Sequence, residues 1–70
     1  MTEAKIPEVG LPEPGKQTSP ITDESSDPGG SSRALCYFNG AAYSTGAYVC
    51  SGGRRLVCFS NGNWGNAGNC

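Results

Sequence analysis

Every acidic residue and every proline of this chain lies before position 34, and every cysteine and every aromatic residue lies after it. No other feature constrains the fold as much. The first stretch contains Pro7, Pro12, Pro14, Pro20 and Pro28. A proline lacks an N–H and restricts the residue before it, so no helix of useful length fits among them. The few apolar residues there follow neither a strand period nor a helix period. Ser25-Ser26-Asp27-Pro28-Gly29-Gly30-Ser31-Ser32 has the composition of a flexible linker. Residues 1–33 are therefore expected to be a disordered, acidic, Pro/Ser/Gly-rich tail or linker, extended by its prolines.

Residues 34–70 must then fold on their own, and they fall below the roughly 40 residues at which a chain usually needs disulfides, a metal or a partner. Cys36, Cys50, Cys58 and Cys70 supply the remedy, at the density of a disulfide scaffold. Between them run short apolar stretches broken by glycine. Residues 34–38 and Ala41-Ala42-Tyr43 flank Asn39-Gly40, a dipeptide suited to the positive φ values of a type I′ hairpin turn. Residues 47–50 and 54–59 flank Ser51-Gly52-Gly53, and Asn61-Gly62 marks a further hairpin before Asn63-Trp64. Residues 65–70, rich in glycine and asparagine, read as a loop anchored only by Cys70. The expected fold is a small all-β, disulfide-rich module, a meander of four or five short antiparallel strands without helix. A two-residue turn at Asn61-Gly62 places Phe59 opposite Trp64 as an aromatic cross-strand pair.

Register also bears on the disulfides. A three-residue turn at 51–53 sets Cys50 opposite Arg54 and leaves Cys58 about 13 Å further along the ladder. Disulfide Cα atoms stand less than about 7 Å apart, which disfavours Cys50–Cys58. Two connectivities remain: Cys36–Cys58 with Cys50–Cys70, or Cys36–Cys50 with Cys58–Cys70. The first is preferred, because it clamps the C-terminal stretch onto the central strand. Zinc is the competing use of four cysteines. The gaps between them contain no close Cys-x2-Cys knuckle and the chain has no histidine, so neither a metal site nor a cofactor is expected.

The same inventory narrows the chemistry. Without histidine there is no ordinary base for a serine or cysteine nucleophile, and residues 34–70 contain no acidic side chain, so no catalytic residues are expected. Arg54 and Arg55 are the only charged side chains after residue 34, too few for a nucleic-acid footprint. The acidic tail could fold back on them, although screening makes such a contact worth little. No apolar run is long enough to span a membrane, and no signal peptide is visible in the opening residues. Paired cysteines nevertheless imply an oxidising compartment: secreted, periplasmic or particle-surface.

Cys36-Tyr37-Phe38-Asn39-Gly40, Tyr43-Ser44-Thr45-Gly46-Ala47 and Gly53-Arg54-Arg55-Leu56-Val57-Cys58 resemble a family of small uncharacterised bacterial domains. That family shares a Cys-Tyr-x-x-Gly-x-x-Tyr-Ser-x-Gly-Ala core followed by Gly-x-x-Leu-x-Cys. The resemblance implies a bacterial, extracytoplasmic module and no known chemistry, and Cys50 and Cys70 depart from the family pattern. More weakly, Tyr43, Gly46, Cys50, Gly53, Cys58, Gly62, Trp64 and Cys70 resemble the C-terminal half of a sushi (complement control) module. That likeness implies pairing of the first cysteine with the third and the second with the fourth, and contacts with other proteins. The interval from Cys36 to Cys50 is shorter than in sushi modules.

Six aromatic residues crowd a module too thin to bury them all. The candidate binding surface is Tyr37, Tyr43, Tyr48, Arg54, Arg55 and Trp64. The expected function is a non-catalytic protein-binding or structural module displayed on a flexible tether outside the cytoplasm, with a protein as its partner. The alternatives are a small carbohydrate-binding module using Trp64 and tyrosines, and a structural zinc module.

Overall fold

A computed structural model describes residues 6–29 and 34–70. Five short strands follow Ala34-Leu35: β1 (Cys36–Phe38), β2 (Ala41–Tyr43), β3 (Tyr48–Ser51), β4 (Arg54–Cys58) and β5 (Trp64–Asn69). The described residues contain no helix. Strands β1 and β2 form one hairpin, and β3-β4-β5 form an antiparallel three-stranded sheet.

The turns set the register. Asn39 and Gly40 both take positive φ, 51° and 86°, and Phe38 pairs with Ala41 across a two-residue turn. Gly52 and Gly53 do the same at 58° and 84°, so Ser51 pairs with Arg54 and Cys50 with Arg55. The expected three-residue turn at 51–53 is thus one residue too long: two adjacent glycines meet the demand of a primed turn for two positive φ angles. The error at Asn61-Gly62 runs the other way. The Phe59 N–H donates to Asn63 O and the Gly62 N–H to Phe59 O, which makes a three-residue loop closed by Gly62 at φ 91°. Cys58, not Phe59, therefore lies opposite Trp64.

Strand β5 corrects the expected loop at 65–70. Its six residues are glycine- and asparagine-rich, a composition depleted in strands, yet tertiary contacts fix it. Gly65 is buried beneath the Phe59 ring, and no side chain could stand there: a Cβ would come within 2.6 Å of Cε1 and closer still to Cζ and Cε2. Asn69, next to Cys70, pairs with Arg54 across a bulge that interrupts the register between Arg54 and Leu56. The bulge is stabilised locally, since the Gly68 N–H donates to Asn66 Oδ1 and Arg55 Nε to Ala67 O.

The core lies between the hairpin and the sheet. Successive strand residues point to opposite faces, so Leu56 and Cys58 share the inner face with Val49 and Trp64, their cross-strand partners. From the hairpin side Cys36 and Phe38 meet them, and all six are almost fully buried. Trp64 is central. Its ring stands edge-on to Phe38 at 6.1 Å and to Tyr43 at 5.6 Å, the geometry that opposes a ring edge to a π face. The buried indole N–H donates to Tyr37 O at 2.9 Å. Two disulfides tie the layers: Cys36–Cys58 joins hairpin to sheet, and Cys50–Cys70 joins β3 to the residue after β5, with Cα separations of 5.8 and 6.0 Å.

Residues 6–29 have no helix and no strand of their own beyond single bridges, as their prolines require. They are nevertheless laid against the module as a strap. Residues 1–5 and 30–33 of the expected tail lie outside the described residues.

Candidate binding surface

The strap runs parallel to both edges of the three-stranded sheet. At the β3 edge the Cys50 N–H donates to Pro7 O and the Val9 N–H to Cys50 O, at 2.8 and 2.9 Å. Ser51 Oγ donates to Gly10 O. At the β5 edge the Trp64 N–H donates to Pro20 O, the Thr22 N–H to Trp64 O and the Asn66 N–H to Glu24 O, each at 2.8 Å. Pro7 and Pro20 contribute only carbonyls, so their missing N–H costs nothing at these positions. An edge strand leaves a row of unpaired N–H and C=O groups; here the strap occupies those of Cys50, Trp64 and Asn66.

Between the two edges the strap crosses the β1–β2 hairpin. Asn39 clasps it from the turn: Nδ2 donates to Leu11 O at 3.1 Å, Oδ1 accepts from the Glu13 N–H at 2.8 Å, and its N–H donates to Thr18 Oγ1 at 3.0 Å. The Gly40 N–H donates to Gln17 O, and Ser19 exchanges two bonds with Tyr37. Near its end, Asp27 accepts from the Ser60 N–H at 2.9 Å, the Ser60 hydroxyl at 3.0 Å and the Gly29 N–H at 2.9 Å. The Ser60 backbone N–H, then that of Gly29, hold the Asp27 carboxyl below its ordinary pKa. Hydrogen bonds from backbone and side chains do the docking, not ion pairs. Among the described residues the ion pair is Lys16–Glu13, within the strap itself, and neither Arg54 nor Arg55 has an acidic partner.

The six expected surface residues do not form one surface. Trp64 is 0% exposed and belongs to the core, so it cannot stack on a ligand. Tyr43 is half-buried against it. Tyr37 is half-buried, its backbone pinned by Ser19 and the Trp64 indole. Arg54 and Arg55 are adjacent in sequence and so take opposite faces of β4. Arg55 lies on the outer face, 5.4 Å from the centre of the Tyr48 ring, with Nε committed to Ala67 O. Tyr48, 47% exposed, is the aromatic ring of this set that is open to solvent. Arg54 is exposed at the end of the inner face.

The residues that sequence reasoning passed over are in the strap. Leu11, Pro12 and Ile21 stand around a cleft with Ser51, Gly52, Arg54 and Leu56. A faint signal was present, because Leu11 and Ile21 are among the few large apolar side chains of an otherwise polar segment.

All four cysteines are paired, which leaves no thiolate for zinc, and the described residues contain no cluster of three or more metal-ligating side chains. Among them no helix is long and apolar enough to cross a membrane. The two disulfides are compatible with an oxidising compartment. No protein-family model, curated protein or solved structure matches the chain.

Proposed function

We propose that this chain is a non-catalytic module that binds extended polypeptide by strand addition, working outside the cytoplasm as a secreted, periplasmic or particle-surface protein. One observation carries the reading: a proline-rich segment lies along the β3 and β5 edges as a parallel ligand strand, held by main-chain bonds. Main-chain bonding of this kind gives affinity with little demand on sequence, and side-chain pockets add selectivity. The strap is the occupant in cis, and a partner strand of similar character is the occupant in trans. The carbohydrate reading loses its main element, because Trp64 is inside the core.

The test opens one edge. Thr22→Pro removes the N–H that bonds to Trp64 O, leaving the disulfide-bonded core untouched. A peptide with the sequence of residues 18–25, added in trans to this full-length variant, is expected to shift the amide resonances of Trp64, Gly65 and Asn66 saturably. A folded variant that shows no such response to the peptide overturns the reading.

A further inference from the structure

The two limbs of the strap leave a gap between them. Leu11 and Pro12 from one limb and Ile21 from the other surround a cleft of about 250 Å³, completed by Ser51, Gly52, Arg54 and Leu56 of the sheet. Leu56, 1% exposed, closes the floor. Leu11 and Ile21 remain 68% and 38% exposed although both front this cleft. These partly wet side chains around a concave site offer a further apolar group a place to pack.

Size limits the occupant. Pockets for drug-sized molecules run from about 300 to 1,000 Å³, and this one is smaller. It has room for roughly eight waters, which matches one branched aliphatic side chain with a small polar group. Gly52 lets Leu11 lie against the turn, since a Cβ there would come within 2.8 Å of Leu11 Cδ2.

Charge gives the polar group its sign. Among the described residues, Arg54 is the sole charged one lining the cleft. It is exposed, and among the described residues no carboxylate pairs with it. A guanidinium offers a carboxylate two parallel donors. An anion and an aliphatic group carried by one residue suit so compact a cleft, which is the chemistry of a chain ending in leucine, isoleucine or valine. We propose that the cleft binds the C-terminal residue of a polypeptide, with its side chain between Leu11 and Ile21 on Leu56 and its α-carboxylate on Arg54. The site is composite: it exists only while the strap is docked in cis, and it does not depend on strand addition in trans. The two ideas therefore fail separately.

The probe is acetyl-Gly-Gly-Leu with a free C-terminus, titrated into the ¹⁵N-labelled full chain. Saturable shifts are expected at Leu11, Ile21 and residues 51–54, with a dissociation constant in the millimolar range that so few atoms allow. The C-terminal amide of the same peptide is expected to bind about tenfold more weakly, as is the free acid to Arg54→Gln, since each removes the charge-assisted pair. Acetyl-Gly-Gly-Gly, which lacks the side chain, should also lose about tenfold. Arg54 is exposed, so Arg54→Gln keeps the fold. The proposal is overturned if acid and amide bind equally, if the shifts map away from the cleft, or if none appears by about 20 mM. Acetyl-Leu-Glu-amide binding as well as the free acid would reassign the site to internal acidic residues and overturn the C-terminal assignment.

Discussion

Gly65→Ala is the smallest change for which the structure gives a large and calculable consequence. Ordinary Cβ contacts lie at 3.4–4 Å, whereas the alanine Cβ would come within 2.6 Å of Phe59 Cε1, with Cζ and Cε2 nearer. The ring must retreat by about an ångström or more, or β5 must lift away from it. Neither movement is easy. Phe59 is 3% exposed, and Val57↔Gly65 and Cys58↔Trp64 hold β5 against β4. Overpacking a filled interior costs about 1–3 kcal/mol, and expelling the ring altogether approaches the roughly 3–5 kcal/mol of a Phe→Ala truncation. A loss of about 2–4 kcal/mol is therefore expected from one methyl group. Single cores of this size supply only about 3–5 kcal/mol, so much of the stability goes with it. Urea unfolding followed by the fluorescence of the buried Trp64 reads the loss. The control is the double variant Phe59→Ala with Gly65→Ala. Once the ring is gone its three prohibitive contacts with the added methyl are gone too, so the second substitution should cost under about 0.5 kcal/mol in that background. Additive losses would refute the steric argument, as would a Gly65→Ala protein as stable as the parent.

Three further outcomes follow from the strap and the disulfides. Asn39→Asp turns the Nδ2 donor into an acceptor facing Leu11 O, and should weaken the clasp by about 1–3 kcal/mol, seen as faster exchange of the Gly40 amide that donates to Gln17 O while the core amides are unchanged. The Asp27 carboxyl has a folded-state pKa below its ordinary value, so its contribution is present above about pH 4. That contribution is lost as pH falls through the folded value, and the Ser60 amide resonance should report the titration and stop doing so in Asp27→Asn. Reduction should unfold the module, because the cross-links span separations of 22 and 20 residues, each worth about 3 kcal/mol in the chain-entropy account; circular dichroism before and after reductant reads this, and a reduced chain with dispersed amide resonances would contradict it.

What sequence could and could not reveal has physical reasons. Asn39-Gly40 was legible because a type I′ turn restricts residue choice at both positions. Gly52-Gly53 carried the same signal, but Ser51 before it lengthened the expected turn by one. The one-residue slip at Asn61-Gly62 shows the limit of dipeptide rules: two-residue and three-residue hairpins both use a glycine at positive φ, and only the position of that glycine separates them. Strand β5 beyond Trp64 was invisible because its conformation comes from its neighbours. Gly65 is chosen for the absence of a side chain beneath Phe59, and strand propensity has no term for that. The docking of residues 6–29 was hidden for a related reason. Along the sheet edges its bonds are mostly main-chain bonds to Cys50, Trp64 and Asn66, which leave no periodic pattern of side chains to read. The candidate surface failed at Trp64 because a count of aromatics says that some must be exposed without saying which. Here the largest one filled the middle and left Tyr48 outside.

Amide hydrogen exchange on the full chain, read by NMR, tests the central claim that residues 6–29 form a strap on both edges of the sheet. The account predicts an alternating pattern along a segment with no named strand. The Val9, Ser19 and Thr22 amides, which donate to Cys50 O, Tyr37 O and Trp64 O, should be protected. Those of Glu8 and Asp23, one residue away, should exchange rapidly, and the edge amides of Cys50, Trp64 and Asn66 should be protected with their strap partners. Val9, Ser19 and Thr22 exchanging at the rate of an unfolded chain, beside a protected β4, would contradict it.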